Sequence, residues 1–237
     1  MNNQELITKY VSKERQKEAL ELLEQGVPIQ YIIGNVDFCG NIINVDNRVL
    51  IPRFETETLV DKTISYAKKM FTHKLKIIDL GTGSGCIAIS LKKAMNAEVY
   101  AMDISSDALD LAKKNALENN VDILFLQDSM ENPLVEKFDI IISNPPYIPY
   151  DGFVQDIVQN NEPKLALFAL DDGLYFYKKI LGYAFDCLNK PGLIAFEIGD
   201  SQKELLESYL KKYFRDKKYC FETDLAGMIR YLFIFNE

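Results

Sequence analysis

Two observations predict an α/β fold of the nucleotide-binding type. A strand, a glycine-rich loop and a helix follow one another directly over residues 75–95, and strands then alternate with helices to the end of the chain. The run Leu75 to Leu80 is short, apolar and rich in branched residues, as in a strand buried on both faces of its sheet. Gly81, Gly83 and Gly85 follow at intervals of two, and CIAISLKKAM (86–95) reads as an amphipathic helix.

The elements follow in order. Asn2 to Gln25 reads as helical, with Leu6, Ile7, Tyr10 and Val11 as one apolar cluster and Ala19, Leu20, Leu22 and Leu23 as another. SKERQKE between them is a solvated segment, and Gly26 and Pro28 end the helix as a C-cap glycine and a following proline do. Val36 to Val45 is a hairpin around Cys39, Gly40 and Asn41. Thr56 to Phe71 is a helix, with Thr56 or Glu55 near its start. Further strands are expected near 98–102, 122–126, 138–142, 192–198, 217–221 and 229–235, and helices near 107–119, 173–188 and 201–213.

Composition excludes several classes. The chain has 237 residues, enough for one α/β domain with a small appendage, and 48% are hydrophobic. No run reaches the 18 or so apolar residues of a membrane span, and MNNQELITKYVSKERQKEAL lacks the apolar core of a signal peptide. A cytoplasmic protein is expected. Cys39, Cys86, Cys187 and Cys220 are scattered without C-x-x-C spacing, so neither zinc site nor disulfide framework is suggested. The single histidine, His73, excludes chemistry that needs a histidine pair. A net charge of −8 leans away from direct nucleic-acid binding.

Three motifs carry chemistry. In KIIDLGTGSG (76–85), the glycines let the backbone approach a ligand. The spacing G-x-G-x-G, preceded by Asp79, suits the amino-acid end of S-adenosylmethionine better than a pyrophosphate, although a tight strand-to-helix turn needs glycine in any case. Asp103 closes the strand EVYAM, where a carboxylate can accept both ribose hydroxyls or cap the next helix. FDIIISNPPYIP (138–149) ends a buried strand in Asn144, Pro145, Pro146 and Tyr147. The prolines donate no backbone hydrogen bond and fix φ, so the turn offers acceptors, among them the Asn144 side-chain oxygen, to a planar NH₂ group. Tyr147 offers it a flat face. The alternative is a loop that merely uses turn formers.

With these residues the chain resembles the class I S-adenosylmethionine-dependent methyltransferases, and specifically the HemK/PrmC protein-glutamine methyltransferases. The resemblance runs from about Val27 to the C-terminus. It rests on PIQYIIG (28–34), VLIPRFETE (49–57), DLGTGSGCIAI (79–89), MDIS (102–105), SNPPYIP (143–149), EPKLAL (162–167) with DGLYFYKKI (172–180), and DLAGMIR (224–230). It implies a Rossmann-like, seven-stranded, mostly parallel sheet with its last strand antiparallel and helices on both faces, plus a short N-terminal helical segment and a β-hairpin. The implied domains are a shortened N-terminal helical segment (1–26), a hairpin and connecting helix (27–72) and a catalytic domain (73–237).

The implied activity is methyl transfer from S-adenosylmethionine, leaving S-adenosylhomocysteine, to the glutamine side-chain nitrogen in the GGQ motif of peptide chain release factors, with no metal. NPPY is shared with amino-methyltransferases of nucleobases, so an N6-adenine methyltransferase acting on RNA or DNA is the alternative. IPRFETE and EPKLAL favour glutamine. Carried onto this chain, Asn144, Pro145, Pro146 and Tyr147 are catalytic and hold substrate, with Arg53 and Glu55 at its border. Asp79, Gly81, Thr82, Gly83, Ser84, Gly85, Asp103, Asp128, Ser129, Met130 and Asn144 bind the cofactor.

The chain departs from the family pattern in three places. About 26 residues precede PIQYIIG where members usually carry a multi-helix domain. Phe54 stands where proline is usual, and Ser129 stands at the usual acid position after the third strand. Asp128 or the backbone then takes the adenine amine, and Met130 packs on the ring or is an ordinary buried methionine. Arg53, Glu55 and Thr56 are equally a helix N-terminus. Glu162 and Pro163 fall in a loop at the substrate end of the sheet, and Glu197 is either a supporting carboxylate or an exposed strand end.

Overall fold

The structure, a computed structural model, describes residues 2–237. Helix α1 (Asn3–Tyr10) opens with a capping box: the Asn2 side chain accepts from the Glu5 amide, and the Glu5 carboxylate accepts from the Asn2 amide. The continuous helix expected over 2–25 is broken. Val11 is extended, and a 3₁₀ turn at Lys13–Arg15 leads into α2 (Gln16–Glu24).

The reason lies in packing. In one straight helix, clusters centred about 12 residues apart would lie roughly 18 Å apart along the axis. Folding the chain back at Val11 and Ser12 lets Ile7, Val11 and Ala19 share a small core with Ile32. The Gln16 side chain donates to the Val11 carbonyl at 3.1 Å and to the Thr8 carbonyl at 3.3 Å, satisfying acceptors that the break exposes. Helix α2 ends at Gly26 as expected. Gly26 N–H donates to the Leu23 carbonyl and Val27 N–H to that of Leu22.

Helix α3 (Ile29–Ile33) leads to the expected hairpin, β1 (Asn35–Phe38) and β2 (Asn41–Asn44). Its turn residues Cys39 and Gly40 both have positive φ, 49° and 72°, which matches the twist of the strands. Helix α4 (Phe54–Met70) begins two residues earlier than expected, with Arg53 as its N-cap residue. Then come β3 (Leu75–Leu80), α5 (Cys86–Ala94), β4 (Ala97–Asp103), α6 (Ser106–Glu118), β5 (Leu124–Gln127) and β6 (Phe138–Ser143). The long connection after β6 holds two-residue strands β7 (Ile148–Pro149) and β8 (Phe168–Ala169) around α7 (Asp156–Asn161). The chain closes with α8 (Tyr175–Cys187), β9 (Leu188–Glu197), α9 (Lys203–Tyr213), β10 (Lys218–Thr223) and β11 (Ile229–Asn236).

Seven strands form one sheet in the order β10-β11-β9-β6-β3-β4-β5. Strand β11 is antiparallel to both neighbours, and the pairs β9-β6, β6-β3, β3-β4 and β4-β5 are parallel. The chain winds outward from β3 in both directions, so the order reverses between β3 and β6, where sheets of this kind open a crevice at their carboxyl ends. Alternate residues feed two cores. Ile77, Val99, Ile140, Ile142 and Phe233 pack under α4, α5 and α6, whereas Ile78, Tyr100, Ile141, Ile194 and Leu232 pack under α8 and α9. Ile141 sits fully buried at the middle of this arrangement. Ile141→Ala is expected to lower the unfolding free energy by about 2–5 kcal/mol in urea titrations monitored by circular dichroism.

Candidate active site

The parallel register sets the site. Leu80 pairs with Met102 on one side and Ser143 on the other, and Ser143 pairs with Phe196. The residues that come next, Asp103, Gly81, Asn144 and Glu197, therefore lie on one line across the carboxyl ends of four adjacent strands.

The glycine loop turns away from this line with positive φ at Gly81 and Gly83, 73° and 54°. A Cβ at Gly81 would come within 2.5 Å of Met130 Cε, so the methionine methyl packs directly on the bare loop, and the positive φ favours glycine there. Gly83 N–H donates to Asp103 Oδ2 at 2.9 Å, and Ser105 N–H donates to Asp103 Oδ1 at 2.9 Å. Asp103 thus ties the loop to the end of β4. The cap of α6 is instead Ser105, whose side chain accepts from the Ala108 amide at 3.2 Å. Burial pushes the Asp103 carboxyl above the usual range, against the pull of the Ser105 and Gly83 amides.

Behind the loop, Asp79 is fully buried. Its Oδ2 accepts from the Thr82 hydroxyl at 2.6 Å, and its Oδ1 has no partner among the described residues. Burial pushes its pKa up to about 7, with the Thr82 hydrogen bond opposing and the Asp103 charge adding. Thr82 and Ser84 are buried too, and the Ser84 carbonyl accepts from Asn115 at 2.9 Å. Gly81 and Gly83 therefore face the cleft, while Asp79, Thr82 and Ser84 brace the loop from beneath.

The cleft has about 870 Å³ of empty space, continuous with solvent at its mouth. Gly81, Gly83 and Asp103 form one wall, Asp128, Ser129 and Met130 a second, and Asn144 and Pro146 the far end. Tyr183 donates to the Met130 carbonyl at 2.9 Å and so holds the second wall. Asp128 Oδ1 accepts from the Ser129 amide and from Asn132, each at 2.7 Å. Val49, Leu50 and Ile104 also line the cleft. They were not singled out from the sequence, although Val49 and Leu50 open VLIPRFETE and Ile104 follows Asp103.

At the far end Pro145 and Pro146 are buried and Tyr147 is half-buried against the core beneath α8. Burial pushes the Tyr147 phenol well above its usual range. Gln202 fixes the Tyr147 carbonyl with a 3.0 Å hydrogen bond. Asn144 Nδ2 donates to Thr56 Oγ1 at 3.2 Å, and the Thr56 hydroxyl donates to Glu197 Oε2 at 2.7 Å. Glu197 is buried, 2% exposed, and is a supporting carboxylate rather than an exposed strand end. Burial pushes its pKa up to about 7, with the Thr56 hydrogen bond lowering it and the Glu55 charge raising it.

Arg53 and Glu55 do not line the cleft. Arg53 pairs with the buried Glu162 at 2.5 Å, and Glu162 Oε2 accepts from the Ile51 amide at 3.1 Å. Glu162 thus clasps the segment before α4 to the connection after β6. The Glu55 carbonyl accepts from the Tyr231 hydroxyl at 2.8 Å.

Residues 50–164 match the Methyltransferase small domain family. The chain is 42% identical over 216 residues to the release factor glutamine methyltransferase of Lactococcus lactis subsp. lactis, covering 90% of this chain and 79% of that protein. It is 45% identical over 216 residues to the release factor glutamine methyltransferase of Flavobacterium psychrophilum, covering 86% and 75%. The chain belongs to the release factor glutamine methyltransferases. Its fold is similar to ribosomal protein L11 methylase of Lactobacillus delbrueckii subsp. bulgaricus, with TM-score 0.57 and 24% identity over 76% of this chain and 77% of that one. It is also similar to a methyltransferase of Pyrococcus furiosus, with TM-score 0.59 and 22% identity over 83% and 88%. The sheet and its flanking helices are those of the class I methyltransferases.

The buried Asp79 has a thermodynamic consequence. Its carboxyl rises from 3.8 to about 7 on folding, so the folded state holds the proton more tightly than the unfolded chain. The stability this gives is present below pH about 4 and is lost as pH rises through about 7. Asp79→Asn removes the titration. The difference in unfolding free energy between variant and wild type should move in the variant's favour between pH 5 and pH 8, read from denaturant titrations at each pH. A difference that does not change with pH would contradict the assignment.

Proposed function

We propose that the protein transfers a methyl group from S-adenosylmethionine to the side-chain amide nitrogen of the glutamine in the GGQ motif of peptide chain release factors. The observation that carries this reading is the direction of the Asn144 amide: its NH₂ is engaged by Thr56, which leaves its oxygen free to accept, and Asn144 lines the cleft.

The cleft fits the cofactor. Gly81 and Gly83 present bare backbone to the amino-acid end, and Asp103 retains acceptor capacity for ribose hydroxyls. Asp128, Ser129 and Met130 take the base. Asp79, Thr82, Ser84 and Gly85 act by holding the loop in shape. When bound, S-adenosylmethionine supplies an activated sulfonium methyl, and S-adenosylhomocysteine is what remains.

The protein's task is then placement. A glutamine nitrogen is a poor nucleophile because its lone pair is delocalised into the carbonyl. The Asn144 oxygen and the Pro145 carbonyl accept its two N–H bonds and hold it facing the cleft, and Tyr147 lies against the amide plane. These acceptors also favour positive charge as it grows on the nitrogen. Positioning of this kind supplies on the order of 7–11 kcal/mol. With the cofactor bound, transfer would form a C–N bond as the C–S bond breaks, and the surplus amide proton would leave to water. Arg53 acts from outside the cleft, through its clasp with Glu162.

The segment 73–237 carries the chemistry, 27–72 contributes Arg48, Val49 and Leu50 to the cleft, and 1–26 is a shortened helical segment packed on Ile32. Among the described residues no helix is long and apolar enough to cross a membrane, and the net charge of −8 disfavours a nucleic-acid substrate.

The test is mass spectrometry of a release factor after incubation with protein and S-adenosylmethionine. One added methyl on the GGQ glutamine is expected, and methylation of RNA or DNA in its place would contradict the reading. Asn144→Ala should lower turnover about 100-fold or more while cofactor binding by calorimetry is retained.

A further inference from the structure

The direction of the Asn144 amide is decided by residues that do not line the cleft. A threonine hydroxyl has one proton to donate. Ionised Glu197 can only accept, so the Thr56 proton goes to Glu197 Oε2, at 2.7 Å. Thr56 Oγ1 then offers Asn144 lone pairs alone, and Asn144 answers with its NH₂, at 3.2 Å. We propose that Thr56 and Glu197 are positioning residues, which hold the Asn144 carboxamide with its oxygen toward the acceptor nitrogen through one directional chain of hydrogen bonds. This rests on the reading that the Asn144 oxygen receives an N–H of the substrate amide.

The chain joins three distant parts of the sequence: Thr56 in the first turn of α4, Asn144 after β6, and Glu197 at the end of β9. Thr56 and Glu197 are 3% and 2% exposed, so water does not compete for either bond. Tyr177 donates to the Glu197 carbonyl at 2.8 Å and fixes the backbone that bears the carboxylate.

Direction in such a chain depends on one proton. Protonated Glu197 becomes a donor to Thr56 Oγ1, which frees the Thr56 proton for Asn144. The amide then turns its oxygen to Thr56 and its NH₂ to the cleft, where it meets the substrate NH₂ donor to donor. The groups that face Glu197 are Thr56 and Glu55 on α4, Asn144 and Tyr147 after β6, Tyr177 on α8, and Arg230 and Tyr231 on β11. Arg230 is itself shared with Asp224 at 3.5 Å and Asp200 at 3.8 Å, and Glu55 repels. Burial is the largest influence, and Glu197 titrates at about 7. The aligned form is the ionised one, so turnover should fall as pH drops below about 7.

The experiment compares the wild type with Thr56→Val, Thr56→Ser, Glu197→Gln and Asn144→Ala, measuring kcat with a release factor and cofactor affinity by calorimetry. Thr56→Val keeps the shape and removes the hydroxyl. It should lower kcat about tenfold to a hundredfold while leaving cofactor affinity within about twofold, and Thr56→Ser should restore kcat to within about threefold of wild type. Wild-type kcat should fall on the acid side of about pH 7, and Glu197→Gln, which cannot titrate, should lose that limb. If Asn144→Ala abolishes turnover but Thr56→Val does not change it, or Thr56→Ser fails to rescue, or the acid limb persists in Glu197→Gln, the relay is overturned. If Asn144→Ala itself turns over normally, the role of Asn144 fails and the relay with it.

Discussion

Everything at the site depends on the register of four parallel strands. Pairing of Leu80 with Met102 and Ser143, and of Ser143 with Phe196, brings β4, β3, β6 and β9 to an end on one line. The next residue on each strand does a different job. Asp103 ties the glycine loop, Gly81 begins it, Asn144 begins the proline turn, and Glu197 supports Asn144 through Thr56. A slip of one residue in any pair would send its side chains to the other face of the sheet and out of the line. The two cores, with Ile140 and Ile142 on one face and Ile141 on the other, oppose that slip.

The strand ends also gather carboxyl groups, on the line and just behind it, in a region of low dielectric. Asp79 and Glu197 are each pushed to about 7, and Asp103 upward as well, with burial the largest cause for all three. Such groups cost stability in their charged forms, and the protein offsets the cost with specific donors: Thr82 for Asp79, the Gly83 and Ser105 amides for Asp103, and Thr56 for Glu197. Each donor is also a structural tie, so the charges that strain the site are what shape it.

Much of the sheet was legible because its signals are local. Branched apolar runs, the glycine loop and the proline turn are read within ten residues of themselves, and the strands at Leu75–Leu80 and Phe138–Ser143 lie where the sequence places them. What escaped the sequence depends on distance. The break between α1 and α2 is invisible to periodicity, because it is made by packing against Ile32. The Arg53–Glu162 clasp spans 109 positions and the Thr56–Glu197 bond 141, and no local pattern marks such partners. In the sequence Asp103 fits a ribose acceptor and a helix cap equally, and Ser105, two residues on, takes the cap in the fold.

The central claim is that these strand ends bring a methyl donor and an amide acceptor together in one cleft. It is tested most directly by a crystal structure with S-adenosylhomocysteine and a Gly-Gly-Gln peptide. The account predicts the homocysteine end over Gly81, the ribose on Asp103, and the glutamine nitrogen within hydrogen-bond reach of the Asn144 oxygen, with the Asn144 NH₂ still on Thr56. A peptide amide bound away from Asn144, or an Asn144 oxygen turned toward Thr56, would contradict it.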